Sequence, residues 1–249
     1  MEWREEDGVR WLEAQLPGAT AAFSTRLGGV SEAPFDGLNL GVFTDDERDS
    51  VVENRRRLAA ALGFRPEQVA IGRQVHGAEL AQHAAPQEPS PFAVPGSPIP
   101  EVDGHVGAEA SPVLLVFVAD CVPVALSGPG GVAMLHCGWR GLAAGVVARG
   151  AAAVDATAAA VGPAIGPCCY EVGRDVSDAF ADLGDGMARG RMLDLPEVSR
   201  RLLRDAGVEQ VESSDLCTSC ERELFFSHRR DAGRTGRQAG LVWRHEEGD

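Results

Sequence analysis

The chain contains no lysine: all 23 of its basic residues are arginine. That absence removes Schiff-base lysines, lysine-anchored pyridoxal phosphate and the Walker-type phosphate loop from the chemistry open to it. Any bound anion falls to arginine side chains or backbone amides. Positive charge is scarce as well, with 23 basic against 37 acidic residues and a net charge of −14. Such a surface repels polynucleotides and anionic lipids, so neither nucleic acid nor membrane is expected as a partner. Apolar runs of the ~18 residues needed to cross a bilayer are missing. The opening residues MEWREEDG are acidic where a secretory signal is basic, and a cytoplasmic protein is expected.

What remains is a chain of 249 residues, 44% of them hydrophobic, with the composition of a globular protein that buries a core. TAAFST (20–25) reads as a strand. ERDSVVENRRRLAAALG (47–63) spaces Val51, Leu58 and Leu62 at helical intervals, with Gly63 as a C-terminal stop. VAIGRQVHGAEL reads as a strand, a break at Gly72 and more extended chain. Residues 84–101 hold six prolines and read as a surface loop or flexible cover. Strands follow at 103–107, 112–120, 122–128 and 130–138, dense enough in β-branched and apolar residues to be buried on both faces. GLAAGVVARGAAAVDA reads as helix despite Gly145 and Gly150. TAAAVGPAIGPCCYEVG starts as a strand and then turns. RDVSDAFADLG and LPEVSRRLLRDAG have helical periodicity, and GRQAGLVWR closes the chain as a strand. The mixture of strands and helices along the whole length predicts an α/β or α+β layered domain rather than a bundle or an all-β sandwich.

Three segments bring an apolar strand to its end at a nitrogen or sulfur donor: RQVHG at His76, VFVADCVP at Cys121 and AMLHCGWRG at His136. Two imidazoles and a thiolate suit zinc, and three protein ligands leave a fourth position for water. Intervals of 45 and 15 residues match no short zinc motif. From spacing alone, three ordinary strand-end residues, with Cys121 a small packed hydrophobe, explain the pattern as well.

The same segments carry a resemblance. TRLGGVSEAPFDGLNLG (25–41), VVENRRRLAAALG (51–63), RQVHG (73–77) and ADCVPV (119–124) are similar to blocks of the laccase-domain family. So are HCGWRGLAAGVV (136–147), AIGPCCYEVG (164–173) and FFSHRRDAGRTGRQAGLVW (225–243). This family is also called the YfiH, peptidoglycan-editing-factor (PgeF) or FAMIN-like family, and the blocks run in its order over nearly the whole chain. The resemblance implies a single YfiH-like domain over residues 1–249, an α/β (α+β) layered sandwich with mixed β-sheets, and a zinc ion held by His76, Cys121 and His136. It implies phosphorolysis of adenosine, inosine, guanosine and methylthioadenosine, and hydrolytic deamination of adenosine. Purine nucleosides and phosphate are then the partners; oligomeric state is left open, with a monomer allowed. Cys137 departs from the family's usual HAGWRG and is expected to pack, because adjacent strand residues point to opposite faces.

For deamination the carboxylates best placed are Asp120, beside Cys121, and Asp103, at the head of DGHVG; Asp120 serves equally as a support for a ligand. Phosphorolysis needs cations for phosphate, and Arg26, Arg73 and Arg140 are the candidates, each with a structural ion pair as its alternative. His105, His228 and Tyr170 are candidate pocket residues with ordinary structural roles as alternatives, and Trp139 is expected to buttress the GWRG turn. CTSC (217–220) has the spacing of a zinc knuckle or redox pair but no matching second pair, since Cys168 and Cys169 are adjacent. The six cysteines are expected as reduced thiols or ligands. The family's older label, polyphenol oxidase, is disfavoured: a four-copper centre needs about ten histidines, and this chain has six with no His-x-His pair. Copper remains an adventitious occupant. The alternatives are a Cys121–His136 hydrolase, which iodoacetamide would stop and chelation would spare, and a peptidoglycan-precursor amidase.

Overall fold

Residues 112–137 are rich in Val, Leu and Ala, side chains that suit a pleated surface covered on both sides. In the computed structural model, which describes residues 1–108 and 112–245, they form three strands at the centre of the molecule. In chain order the strands are β1 (Glu2–Glu6), β2 (Val9–Leu16), β3 (Ala19–Ser24), β4 (Val69–Ala70), β5 (Leu80–His83), β6 (Gly104–Gly107) and β7 (Val113–Val118). They continue with β8 (Val122–Gly128), β9 (Gly131–Cys137), β10 (Ala158–Val161), β11 (Ala188–Arg189), β12 (Met192–Leu193), β13 (Gln210–Ser213) and β14 (Gln238–Arg244). The helices are α1 (Arg48–Ala61), α2 (Trp139–Ala143), α3 (Val146–Val154), α4 (Arg174–Asp178) and α5 (Leu195–Asp205).

Two six-stranded sheets result, in the orders β1-β2-β3-β14-β7-β4 and β13-β10-β8-β9-β6-β5. Both are mixed. Neighbours run antiparallel except β4 with β7, β10 with β13 and β5 with β6. The period-2 alternation of β8 and β9 sets the layers. Val122, Val124, Leu126, Ala133, Leu135 and Cys137 face α3 and α5. Ala125, Val132 and Met134 face the first sheet, where Ala14, Ala21, Phe23 and Val116 meet them. The first sheet's outer side is covered by α1 through Leu58, packed with Leu38, Val69, Leu115 and Leu241. The molecule is therefore a single-domain α+β sandwich of two stacked sheets between helical layers, as expected from the sequence. Cys137 lies fully buried among the helix-side residues, so the extra sulfur beside His136 does pack.

Helix α1 buries two polar side chains on its inner face: Asn54 is satisfied, and Arg55 is bonded through Nε and Nη1 while its Nη2 has no hydrogen-bond partner among the described residues. The Asn54 amide donates to Ser31 Oγ and to the carbonyls of Gly37 and Asn39. Arg55 donates to the carbonyls of Leu40, Pro91 and Phe92. The proline-rich segment is thus tied down rather than a flexible cover, with Phe92 fully buried. The alanine-rich helix is broken in two at Gly145, whose φ of 85° no helix accommodates. RDVSDAFADLG gives only the short α4 and a 3-10 turn. Strands β1, β2 and β11 to β13 were not legible in the sequence; β1 is exposed at every position and carries no hydrophobic alternation. No helix among the described residues is long and apolar enough to cross a membrane.

Candidate active site

Strand β7 belongs to the first sheet and β8 to the second, so the chain must cross between sheets through Ala119, Asp120 and Cys121. The crossing forces Asp120 to a φ of 90°, a conformation that ordinary residues hold only when their surroundings over-determine it. Those surroundings are visible. Thr218 Oγ1 donates to Asp120 Oδ1 at 2.6 Å, and the Arg229 amide donates to Oδ2 at 2.7 Å. The Asp120 carbonyl accepts from the Ile165 amide. Cys121 is thereby fixed at the mouth of the sandwich.

His76 arrives differently from the sequence expectation. It is not at a strand end: β4 stops at Ala70, and His76 lies in the following loop with a φ of 61°. Asp103 holds this turn, accepting from the amides of Val75 (3.1 Å), His76 (2.9 Å) and Gly77 (2.7 Å). The same carboxylate takes His136 Nδ1 at 2.8 Å, which leaves His136 Nε2 as the free ring nitrogen. His136 follows the parity of Val132 and Met134 and so projects from the inner face of β9.

The nitrogen donors of His76 and His136 and Sγ of Cys121 lie within 4.8 Å of one another. The two imidazole rings meet edge-on with centroids 5.0 Å apart. Gly138 makes this approach possible, because a Cβ there would lie 2.8 Å from the His76 ring and 3.3 Å from the Cys121 sulfur. Burial alone would push the Cys121 thiol up. The charge and hydrogen bonds of His136, with those of His76, outweigh burial and bring it down to about 6. Burial likewise works against charge on His136, but Cys121 and Asp103 raise it to about 9. The metal-free centre thus favours a Cys121 thiolate facing a protonated His136, and a cation bound there would displace the imidazolium proton.

Above the cluster opens a cavity of about 510 Å³, a size that accepts a nucleoside-like ligand. Phe43, Phe117, Trp139 and Tyr170 give it aromatic walls, and Arg73, Arg140, Arg229 and Arg237 give it positive charge. Phe43 is 72% exposed, an aromatic side chain left at the rim with little to cover it.

Of the residues singled out in the sequence, His76, Cys121, His136, Asp120, Arg73 and Arg140 all border this cavity, as do His228, Trp139 and Tyr170. Arg73 also pairs with Glu101 at 3.0 Å, and the Arg140 guanidinium stacks 4.3 Å from the Trp139 ring centroid. Arg26 is elsewhere. It borders a separate surface depression, pairs with Asp36 at 2.9 Å and lies over Phe226. Asp103 is fully buried behind His136 and does not border the cavity; its oxygens engage the His76 turn and the His136 ring. His105 is also buried, 3.0 Å from the His83 ring. Sequence reasoning missed Gln74, Phe43, Phe117, Arg229 and Arg237. Gln74 borrows the edge of Phe117 through two hydrogen bonds, and Arg237 reaches the site on the loop leading into β14. Burial lowers the Arg237 pKa, and Cys121 and Asp120 are the negative charges it feels there. The CTSC segment, left without a partner in the sequence reading, meets Cys168 and Cys169 in space.

The chain is thus an α+β sandwich of two mixed sheets with a His–Cys–His donor cluster at its mouth. The chain belongs to the family described as multi-copper polyphenol oxidoreductase laccase, whose model matches residues 20–245. It is 37% identical to the purine nucleoside phosphorylase YlmD of Geobacillus stearothermophilus, over 98% of this chain and 97% of that one. It is 38% identical to the purine nucleoside phosphorylase YfiH of Escherichia coli K12, over 92% and 95% of the two chains. The crystal structure of the Geobacillus YlmD superposes with a TM-score of 0.88, covering 98% of this chain and 99% of that one.

Proposed function

We propose that the protein is a zinc-dependent purine nucleoside phosphorylase acting on adenosine, inosine, guanosine and methylthioadenosine, with adenosine deamination as a second activity of the same cavity. The observation that carries this reading is the placement of a His76–Cys121–His136 donor cluster on the floor of a cavity that is both aromatic and arginine-lined. The relatives named purine nucleoside phosphorylase support it.

The donors fit zinc. Two imidazoles and one thiol are a donor set it prefers, His136 has its second nitrogen anchored on a carboxylate, and Gly138 leaves the approach clear. Zinc held by His76, Cys121 and His136 would supply a Lewis acid at the cavity floor. Copper competes for such ligands more strongly in vitro and is an adventitious occupant.

The chain's own groups meet the other demands of phosphorolysis. A purine is flat and apolar on its faces, and Phe43, Phe117, Trp139 and Tyr170 offer surfaces for it to stack on. Phosphate needs planar cationic partners that hold it against C1′, and Arg73, Arg140, Arg229 and Arg237 provide them without any lysine. Asp120 has both oxygens engaged and serves to hold the sheet crossing that presents Cys121. Purified protein should release free purine from inosine or guanosine only when phosphate is present, as read by chromatography. Inosine formed from adenosine without phosphate establishes the deaminase. A panel giving neither product with zinc-loaded protein would overturn the proposal.

One observation favours a second reading. Asp103, His136 and Cys121 form the carboxylate–imidazole–thiol chain of a cysteine hydrolase, with the thiol pulled down to about 6. That chain would serve a peptidoglycan-precursor amidase as well as other hydrolases. Activity that survives chelation but is lost to iodoacetamide would select it; activity lost on chelation and restored by zinc would exclude it.

A further inference from the structure

Of the five cysteines that the proposed reaction does not use, all but the core residue Cys137 are gathered in one place. Cys168 Sγ lies 3.4 Å from Cys220 Sγ, Cys169 Sγ lies 3.5 Å from the same atom, and all four sulfurs including Cys217 fall within 4.8 Å of one another. Zinc–sulfur bonds of about 2.3 Å in tetrahedral geometry put neighbouring sulfurs about 3.8 Å apart. The observed cluster brackets that edge length. We propose that Cys168, Cys169, Cys217 and Cys220 form a second metal centre, a tetrathiolate site for a structural zinc ion.

The backbone is arranged for it. Adjacent cysteines are poor joint ligands on a strand, where they point to opposite faces. Here they lie on a turn in which the amides of Cys169 and Tyr170 both donate to the Gly166 carbonyl. A second turn, with the amides of Cys220 and Glu221 donating to the Cys217 carbonyl, presents the other pair. The two turns are locked in register by the Ala164–Cys217 bridge. Across it the Thr218 amide donates to Ala164 and the Ala164 amide to Leu216. The Gly166 amide donates to Cys217 Sγ at 3.2 Å, the kind of contact that steadies a thiolate ligand. A Cβ at residue 166 would sit 3.3 Å from Cys217 Cβ and 3.4 Å from Cys168 Sγ, so glycine allows the turns to close on each other. Cys168 and Cys220 are exposed, which gives an ion its way in.

The centre has a structural consequence for the cavity. Tyr170, a cavity wall, follows Cys169 directly. Thr218, between Cys217 and Cys220, donates to the Asp120 carboxylate beside Cys121. Zinc at the four cysteines would staple the wall to the floor. This proposal stands on the four-cysteine geometry and is independent of the reaction assigned to the cavity.

The test is metal analysis of the full-length protein after zinc loading and removal of free metal. About two zinc ions per chain are expected. Cys217→Ser and Cys220→Ser should each lose about one of them, and His76→Ala should lose the other while keeping the tetrathiolate ion. A measurement on the unaltered chain guards against misfolding of the variants. Cys168 and Cys220 should resist iodoacetamide in the zinc-loaded protein and react after chelation, as read by peptide mapping. Unchanged metal content in both cysteine variants would overturn the proposal, as would unprotected Cys168 and Cys220 in the loaded parent. So would a Cys168–Cys220 disulfide in native protein, which leaves the chain about 2 Da lighter and two thiols short under non-reducing alkylation.

Discussion

Asp103 has no contact with solvent, and its two oxygens accept three backbone amides and one imidazole. It shapes the His76 turn and orients the His136 ring, joining two donors that are far apart in the sequence. Burial would raise its pKa, but the His136 hydrogen bond and the amides lower it overall, so it is a carboxylate at neutral pH. Replacing it with asparagine removes the charge and leaves one acceptor oxygen where two are used. Asp103→Asn should weaken metal binding by roughly 10–100-fold, measured by titration against a competing chelator; an affinity equal to that of the parent would show that the carboxylate does not orient the donors. Cys121 offers a second measurement at this scale. Its metal-free thiol is drawn down to about 6, so the thiolate forms as pH rises through that value instead of the ordinary ~8.5. Alkylation of Cys121 in chelator-treated protein, followed by peptide mapping, should therefore reach half its plateau rate near pH 6. A midpoint near the ordinary thiol value would mean that His136 and His76 do not govern the thiol.

At the scale of elements, the stacking of the two sheets depends on small residues where strands cross. Gly240 on β14 pairs with Phe23 and Val116 within its own sheet, and its missing side chain is aimed at the other. A Cβ there would lie 2.4 Å from Met134 Cε and 2.6 Å from Pro123 Cβ. Gly240→Ala should destabilise the fold by about 1–3 kcal/mol through overpacking, read as a lower denaturant midpoint with metal content unchanged. A midpoint matching the parent would show that the sheets have slack at this seam. The seam also marks what was legible in the sequence. Elements α1, β3, β7 to β10, α5 and β14 announce themselves by helical spacing or by dense apolar runs. Strand β1 has neither, being held by pairing with β2 alone while all five of its side chains are exposed. Cys121 and His136 were legible because Cys and His are conspicuous beside apolar strands, whereas His76 was singled out on a strand end that the structure replaces with a loop. Arg229 and Arg237 were not. Arg229 meets Asp120 from 109 residues away, and only the folded chain brings that loop over the cavity. Arg26, conspicuous between a strand and a glycine pair, was drawn off by Asp36 and Phe226.

Across the whole molecule, the His76–Cys121–His136 centre joins parts that the backbone connects only loosely. His76 hangs from the loop after β4 of the first sheet, Cys121 lies on the crossing between sheets, and His136 belongs to β9 of the second. A metal ion held there bridges both sheets in the folded state, and the unfolded chain has no preformed site for it. Binding therefore adds to stability by mass action, about 4 kcal/mol when free metal is about 1,000 times its dissociation constant. In a chain of this size each kcal/mol moves the midpoint by about 2–4 °C. Chelation should then lower Tm by roughly 8–16 °C, and zinc should restore it. The four-cysteine cluster would add its own increment, so the comparison belongs in the Cys220→Ser background, where the sheet-bridging centre is the one left intact. If loaded and chelated protein of that variant melt together, the three donors do not hold an ion across the sandwich.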